Sequence, residues 1–136
     1  MTDCSSTPRR LLIVDDDPSW RTTIASLLRA LGHTVDTAES GSAGLAVLRQ
    51  KQVDLLMTDL MMPGLTGWDV ARLAKAMHPD LPVVLLTGST HTISSDTPER
   101  KFVDVILAKP CGVAAMQAVI APLTGYLGKA ARSGSP

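Results

Sequence analysis

Aromatic side chains are nearly missing from this chain: two Trp, one Tyr and one Phe among 136 residues. A core must therefore come from Leu, Val, Ile, Ala and Met, and a hydrophobic fraction of 45% supplies enough for one domain. Neither sign of charge is in excess, with 13 basic and 13 acidic residues. That balance removes the electrostatic ground for a nucleic-acid or membrane-surface binder. Apolar runs long enough to span a bilayer are lacking as well. Cysteine is scarce: Cys4 and Cys111 lie far apart with no metal-ligand spacing, and no signal-peptide pattern opens the chain. Both features point to a reducing, cytoplasmic compartment. His33, His78 and His91 are dispersed, again without ligand spacing.

What is present is an alternation of two patterns. Residues 1–9 read as a flexible arm and 128–136 as a tail, which leaves 10–127 for the domain. Leu11–Val14 is a short apolar run of the kind buried on both faces of a parallel sheet. Asp17-Pro18 then reads as a helix start, the Asp as cap and the Pro at the first position, where its missing N–H costs nothing. Trp20, Ile24, Leu27, Leu28 and Leu31 follow as an apolar stripe, with Trp20 close to the acid residues but core filler by default, and Gly32 ends the helix. Thr34–Thr37 alternates like an edge strand, Gly41–Lys51 is a weaker helix, and Val53–Thr58 is a second buried strand. Thr66 caps a helix carrying Val70, Leu73, Ala74 and Met77. Val83–Leu86 and Val103–Leu107 are further strands. The last helix carries Met116, Val119, Ile120, Leu123 and Leu127, with Pro122 predicting a kink or an end near Ala121. Between the last two strands, His91–Lys101 has no apolar stripe and contains Pro98, so its helix should be short or irregular. The pattern predicts a doubly wound five-stranded parallel sheet with helices on both faces.

Ligands of such sheets bind beyond the carboxyl ends of the strands. There the sequence puts Asp15 and Asp16, Asp59, Thr87 with Gly88, and Lys109. Clustered carboxylates invite a hard divalent cation, and Mg²⁺ is held through a few carboxylates and oxygen ligands. A carboxylate also serves as a nucleophile that forms an aspartyl phosphate. An ammonium and a hydroxyl are what the transferred phosphoryl oxygens then need.

The motifs "LLIVDDDPSWR", "DLLMTDLMMPG", "VVLLTG" and "AKP", in this order and spacing, resemble the receiver domain of bacterial two-component response regulators. The resemblance covers about residues 10–127 and implies a flavodoxin-like sheet of order 2-1-3-4-5. It implies that Asp59 is the phosphoacceptor and that Asp16 binds Mg²⁺ directly, Asp15 largely through water, with the Met61 backbone carbonyl as a further ligand. Thr87 and Lys109 would contact the phosphoryl group, Gly88 would leave its approach open, and the Lys109–Pro110 bond would be cis. A histidine kinase or histidine phosphotransfer protein would be the donor.

Ile106 departs from the family, which usually has an aromatic residue or His three positions before the lysine. The weak fourth helix lies on the same, output side. The expectation is intact input chemistry with altered output, exerted by a stand-alone receiver through contact with a downstream protein or by phosphate relay. Nucleic acid and membrane would not be touched directly. A receiver-like binding module independent of phosphorylation is the alternative. A haloacid-dehalogenase-type phosphatase uses similar groups, with Asp15-x-Asp17 mimicking its first motif. That class needs an acidic pair after the lysine, and no Asp or Glu follows Asp104.

Overall fold

The computed structural model describes residues 9–88, 93, 96–109 and 112–124. Among the described residues, five strands and four α-helices follow in the order β1 (Arg10–Val14), α1 (Pro18–Ala30), β2 (Thr34–Ala38), α2 (Gly41–Gln50), β3 (Leu55–Asp59), α3 (Gly67–Met77), β4 (Val83–Thr87), β5 (Val105–Ala108) and α4 (Val113–Leu123). All pairings are parallel, and the sheet order is β2-β1-β3-β4-β5, as expected from the sequence.

Successive side chains of a strand point to opposite faces, and the two cores follow that period of two. Leu11 and Ile13 of β1, Leu55 and Met57 of β3, and Val84 and Leu86 of β4 pack with Ile24, Ala25 and Leu28 of α1 and Met116 and Ile120 of α4. Leu12, Val14, Leu56 and Val83 pack on the other face with Leu45 and Leu48 of α2 and Val70, Ala71 and Ala74 of α3. Most of these side chains are fully buried, each contributing roughly 1.5–3 kcal/mol of transfer free energy.

Helix starts follow their caps. The Asp17 carboxylate accepts from the backbone N–H of Ser19 and Trp20, with Pro18 in the first turn. Thr66 and Asp69 form a reciprocal capping box on α3. After α1, Gly32 takes a positive φ of 99°, which a side chain resists. Pro122 sits in the last turn of α4, which ends at Leu123.

The α1 stripe differs from the expected one. Ile24, Ala25 and Leu28 are buried, whereas Leu27 and Leu31 are 44% and 49% exposed. The helix is turned so that Ala25 meets the sheet; Leu27 falls on the flank, and Leu31 is the C-cap beyond the last turn. β3 and β5 both start two residues later than expected. Val53 and Val103 pack against the core outside the strands. Asp54 and Asp104, which follow them, turn their carboxylates to the backbone N–H of Arg10 and of Val83, each at 2.8 Å.

Between β4 and β5 the described residues hold a 3-10 helix at Pro98–Phe102 with no buried residue, in keeping with the missing apolar stripe. At the amino ends of the strands, His33 is nearly buried. Its Nδ1 accepts from the Arg9 backbone N–H at 3.1 Å, and its Nε2 lies 2.6 Å from Gln117 Oε1 of α4. The arm 1–8, Cys4, His91, the Lys109–Pro110 peptide, Cys111 and the stretch from 125 onward, with Leu127, lie outside the described residues.

Candidate functional site: an acidic crevice at the carboxyl rim

The strand order reverses between β1 and β3, and the polar strand ends converge there, at the switch point where open α/β sheets bind ligands. The backbone fixes them. β1 and β3 run in register, with Val14 beside Thr58, so Asp15 and Asp59 leave the sheet side by side. The Asp15 N–H donates to the Ala38 carbonyl at 3.1 Å, and Arg21 Nη1 donates to the Asp15 carbonyl at 2.6 Å. At the far end, the Lys109 N–H donates to the Thr87 carbonyl at 2.8 Å, which ties the residue after β5 to the last residue of β4.

The three carboxylates differ in depth. Asp15 is fully buried, Asp59 is 8% exposed and Asp16 is open to solvent. Each offers an oxygen within 4.8 Å of the other two. Asp15 Oδ1 accepts from the Asp17 N–H at 2.8 Å, and Asp15 Oδ2 from Lys109 Nζ at 2.8 Å. Lys109 Nζ also lies 3.6 Å from Asp59 Oδ1. Asp17 is turned away as the helix cap and takes no part in the cluster.

Thr87 is nearly buried at the end of β4. The space beside Gly88 is open, since a Cβ built there meets no atom within 4 Å. Met61 follows two residues after β3 with its side chain 72% exposed. Ile106 is half-buried on β5, registered beside Leu85.

Burial is the main force pushing the Asp59 carboxyl above its ordinary range; the charges of Asp15 and then Asp16 add to it, and Lys109 only partly opposes them. Burial works against the Lys109 ammonium, but its hydrogen bond to Asp15 and the charges of Asp15 and Asp59 outweigh that and raise it further. Lys109 is thus a firm cation at any physiological pH. Three carboxylates face one ammonium, so the crevice keeps a negative excess. Oxygen donors at graded depth with unrelieved repulsion are the donor set that suits Mg²⁺.

Two contacts go beyond the expectations from sequence. Trp20, expected close to the acid pocket with core filling as its default, packs on the core and also faces the ammonium: Lys109 Nζ stands 4.6 Å from the centroid of its ring. Gly67 lies against β3, where a Cβ would collide with the Asp59 carbonyl oxygen and stand 2.8 Å from Leu60 Cα. The position of Trp20 three residues after the capping Asp17 was the available signal for the first; nothing in the sequence marks the second.

Fold and rim together define the class: an open, doubly wound α/β domain with a lysine-bridged acidic crevice at its switch point. The chain belongs to the response regulator receiver domain family, whose model matches residues 11–121. Aspartate phosphorylation and Mg²⁺ binding are typical of that family. The chain is 36% identical over 100 residues to the transcriptional regulatory protein AfsQ1 of Streptomyces coelicolor, covering 74% of this chain and 44% of that protein. It is 39% identical over 85 residues to the DNA-binding response regulator MtrA of Mycolicibacterium smegmatis, covering 62% and 37%. It therefore spans less than half the length of these relatives. Among solved structures, the response regulator TrrA of Thermotoga maritima, crystallised in complex with Mg²⁺-BeF, superposes with a TM-score of 0.77 at 28% identity, covering 85% of this chain and 98% of that one.

Proposed function

We propose that this receiver domain is a phosphorylation-dependent switch whose acceptor is Asp59. The donor is a histidine kinase or a histidine phosphotransfer protein. The phosphohistidine P–N bond breaks as a P–O bond forms to an Asp59 carboxylate oxygen; the imidazole nitrogen keeps the bonding pair and takes a proton from solvent. Later hydrolysis returns the carboxylate and inorganic phosphate. The observation that carries this reading is the triangle of Asp15, Asp59 and Lys109 at the switch point.

Asp16, Asp59, Asp15 (largely through water) and the Met61 backbone carbonyl are the groups that would hold Mg²⁺, which when bound neutralises the carboxylates and the incoming phosphoryl oxygens. Lys109 supplies the fixed positive charge on the opposite side, and the Thr87 hydroxyl supplies a donor. The open space beside Gly88 leaves room for the group. Output runs through contact with a downstream protein or through onward transfer of the phosphate, in a cytoplasmic setting. No helix among the described residues is long and apolar enough to cross a membrane. The balanced charge of the chain favours a domain that does not itself contact nucleic acid. Its chemistry is confined to gaining and losing its own phosphate, and no substrate is turned over.

Incubation with acetyl phosphate and Mg²⁺ followed by intact-mass measurement tests this. A single phosphate adduct, absent in Asp59→Asn, is expected; no adduct in the wild type, or the same adduct in the variant, overturns it.

Ile106 and the short 3-10 helix at Pro98–Phe102 favour one second reading, a binding module whose partner contacts ignore phosphorylation. Equal partner affinity of the wild type, with and without phosphodonor, and of Asp59→Asn would select it.

A further inference from the structure

The acid crevice has a neutral wall that the phosphorelay chemistry does not use. Trp20 is half-buried, packs against the α1 and α4 core, and presents its ring to Lys109 Nζ at 4.6 Å from the centroid. The ammonium is therefore bounded by three groups: Asp15 at 2.8 Å, Asp59 at 3.6 Å and the indole face. We propose that Trp20 is a positioning residue for the phosphoryl transfer, holding the Lys109 ammonium, already bonded to Asp15, where it also faces Asp59 across the crevice.

Lys109 projects from the end of an edge strand on a flexible four-carbon stem, and such a stem loses much rotamer freedom when its tip is fixed. Two carboxylates alone would not set where the tip rests. Asp15 fixes the tip at 2.8 Å on one side only, and the indole face bounds it on another, so that the ammonium stays 3.6 Å from Asp59. An aromatic face attracts the cation without accepting a proton and without consuming an N–H in a strong hydrogen bond. Of three N–H donors, one is spent on Asp15. The Asp59 oxygen is beyond hydrogen-bond length, so donor capacity remains on that side for phosphoryl oxygens.

The indole is held in place by the same short stretch that builds the acids. Asp17 caps α1 and accepts from the backbone N–H of Trp20 at 3.4 Å, with Pro18 fixing the first turn that carries the ring. Asp15 bonds the ammonium, Asp17 starts the helix, and Trp20, one turn on, closes over the same ammonium.

The inference rests on the proposed role of Asp59, so its test has one arm that needs no phosphate. In metal-free protein, NMR of the Lys109 side chain should show ε-methylene protons shifted upfield by the indole ring current. Trp20→Leu should abolish the shift and Trp20→Phe should keep part of it. An unchanged shift in Trp20→Leu overturns the proposal whatever the phosphorylation result.

The second arm measures phosphorylation by acetyl phosphate with Mg²⁺ in five proteins: wild type, Trp20→Leu, Trp20→Phe, Lys109→Met and the Trp20→Leu/Lys109→Met double variant. Trp20→Leu should slow the wild type roughly three- to ten-fold, Trp20→Phe should restore most of the rate, and Trp20→Leu should add nothing in the Lys109→Met background. An equal fold-loss in both backgrounds would assign Trp20 to packing alone and overturn the proposal. If the wild type takes no phosphate, the Asp59 reading fails, and the NMR arm still decides whether Trp20 holds Lys109.

Discussion

Lys109 sits closer to Asp15 than to Asp59, at 2.8 Å against 3.6 Å, although Asp15 is the fully buried carboxylate of the two. Its ammonium is thus first a counter-charge for a buried acid. Among the described residues, removing it leaves the Asp15 carboxylate the Asp17 N–H and the neighbouring negative charges. Lys109→Met should destabilise the metal-free domain by about 3 kcal/mol, the cost of stranding a buried charge. Mg²⁺ should recover a large part of that loss. Chemical denaturation of both proteins with and without Mg²⁺ measures it; a penalty indifferent to Mg²⁺ would count against a shared site.

The upward shift of the Asp59 pKa carries a sign of its own. A carboxyl whose pKa is higher folded than unfolded loses stability as pH rises through the shifted value, because the charged form is the one disfavoured. Asp59→Asn should therefore be more stable than the wild type near neutral pH without metal, while Lys109 keeps its bond to Asp15. Mg²⁺ should stabilise the wild type by about 2.7 kcal/mol at a hundred times its dissociation constant, and Asp59→Asn by clearly less. Melting curves with and without Mg²⁺ decide both points.

Asp36 gives the opposite dependence. Burial works against its charge, but Lys51 at 3.0 Å and Arg10 at 3.1 Å outweigh this and bring it below its ordinary 3.8. Its contribution is present above the unfolded value of 3.8 and is lost as pH falls through the lower folded one. Both partners are substantially exposed, so Asp36→Asn should cost only about 1 kcal/mol near neutral pH, less in high salt. The gap between variant and wild type should close in acid. Urea titrations across that range test it.

Gly67 touches the backbone that carries Asp59, the proposed acceptor. Its N–H donates to the Leu60 carbonyl at 2.8 Å, and a side chain would push on Asp59 and Leu60 main-chain atoms that have no room to yield. Gly67→Ala should cost about 2 kcal/mol of stability and slow phosphorylation as well. A variant of wild-type stability and rate would show that α3 can move aside freely.

Much of this was legible in the sequence because its signals are local. A strand that ends in a polar residue announces the rim, and Asp15, Asp59, Thr87 and Lys109 all do so. The missing apolar stripe in 91–101 likewise announced a poor helix, and Pro98–Phe102 forms only a 3-10 turn. The misreadings are matters of rotation and register. Leu27 and Leu31 look like stripe residues, yet the small Ala25 lets α1 turn its other flank to the sheet. Val53 and Val103 are apolar and packed, but the carboxylates beside them cap neighbouring strands and hold back the ladder. The partnership of Trp20 and Lys109 joins two ends of the chain, and no spacing rule encodes it.

The bond pattern around His33 has a consequence for the chain ends. Because Nδ1 accepts from the Arg9 backbone N–H, the ring carries its hydrogen on Nε2, and that N–H donates to Gln117 Oε1. One imidazole thus buckles the entry into β1 to the middle of α4. Trimming the chain past Arg9 would remove the donor that sets the tautomer, and the clasp on the last helix would slacken from the opposite end of the sequence.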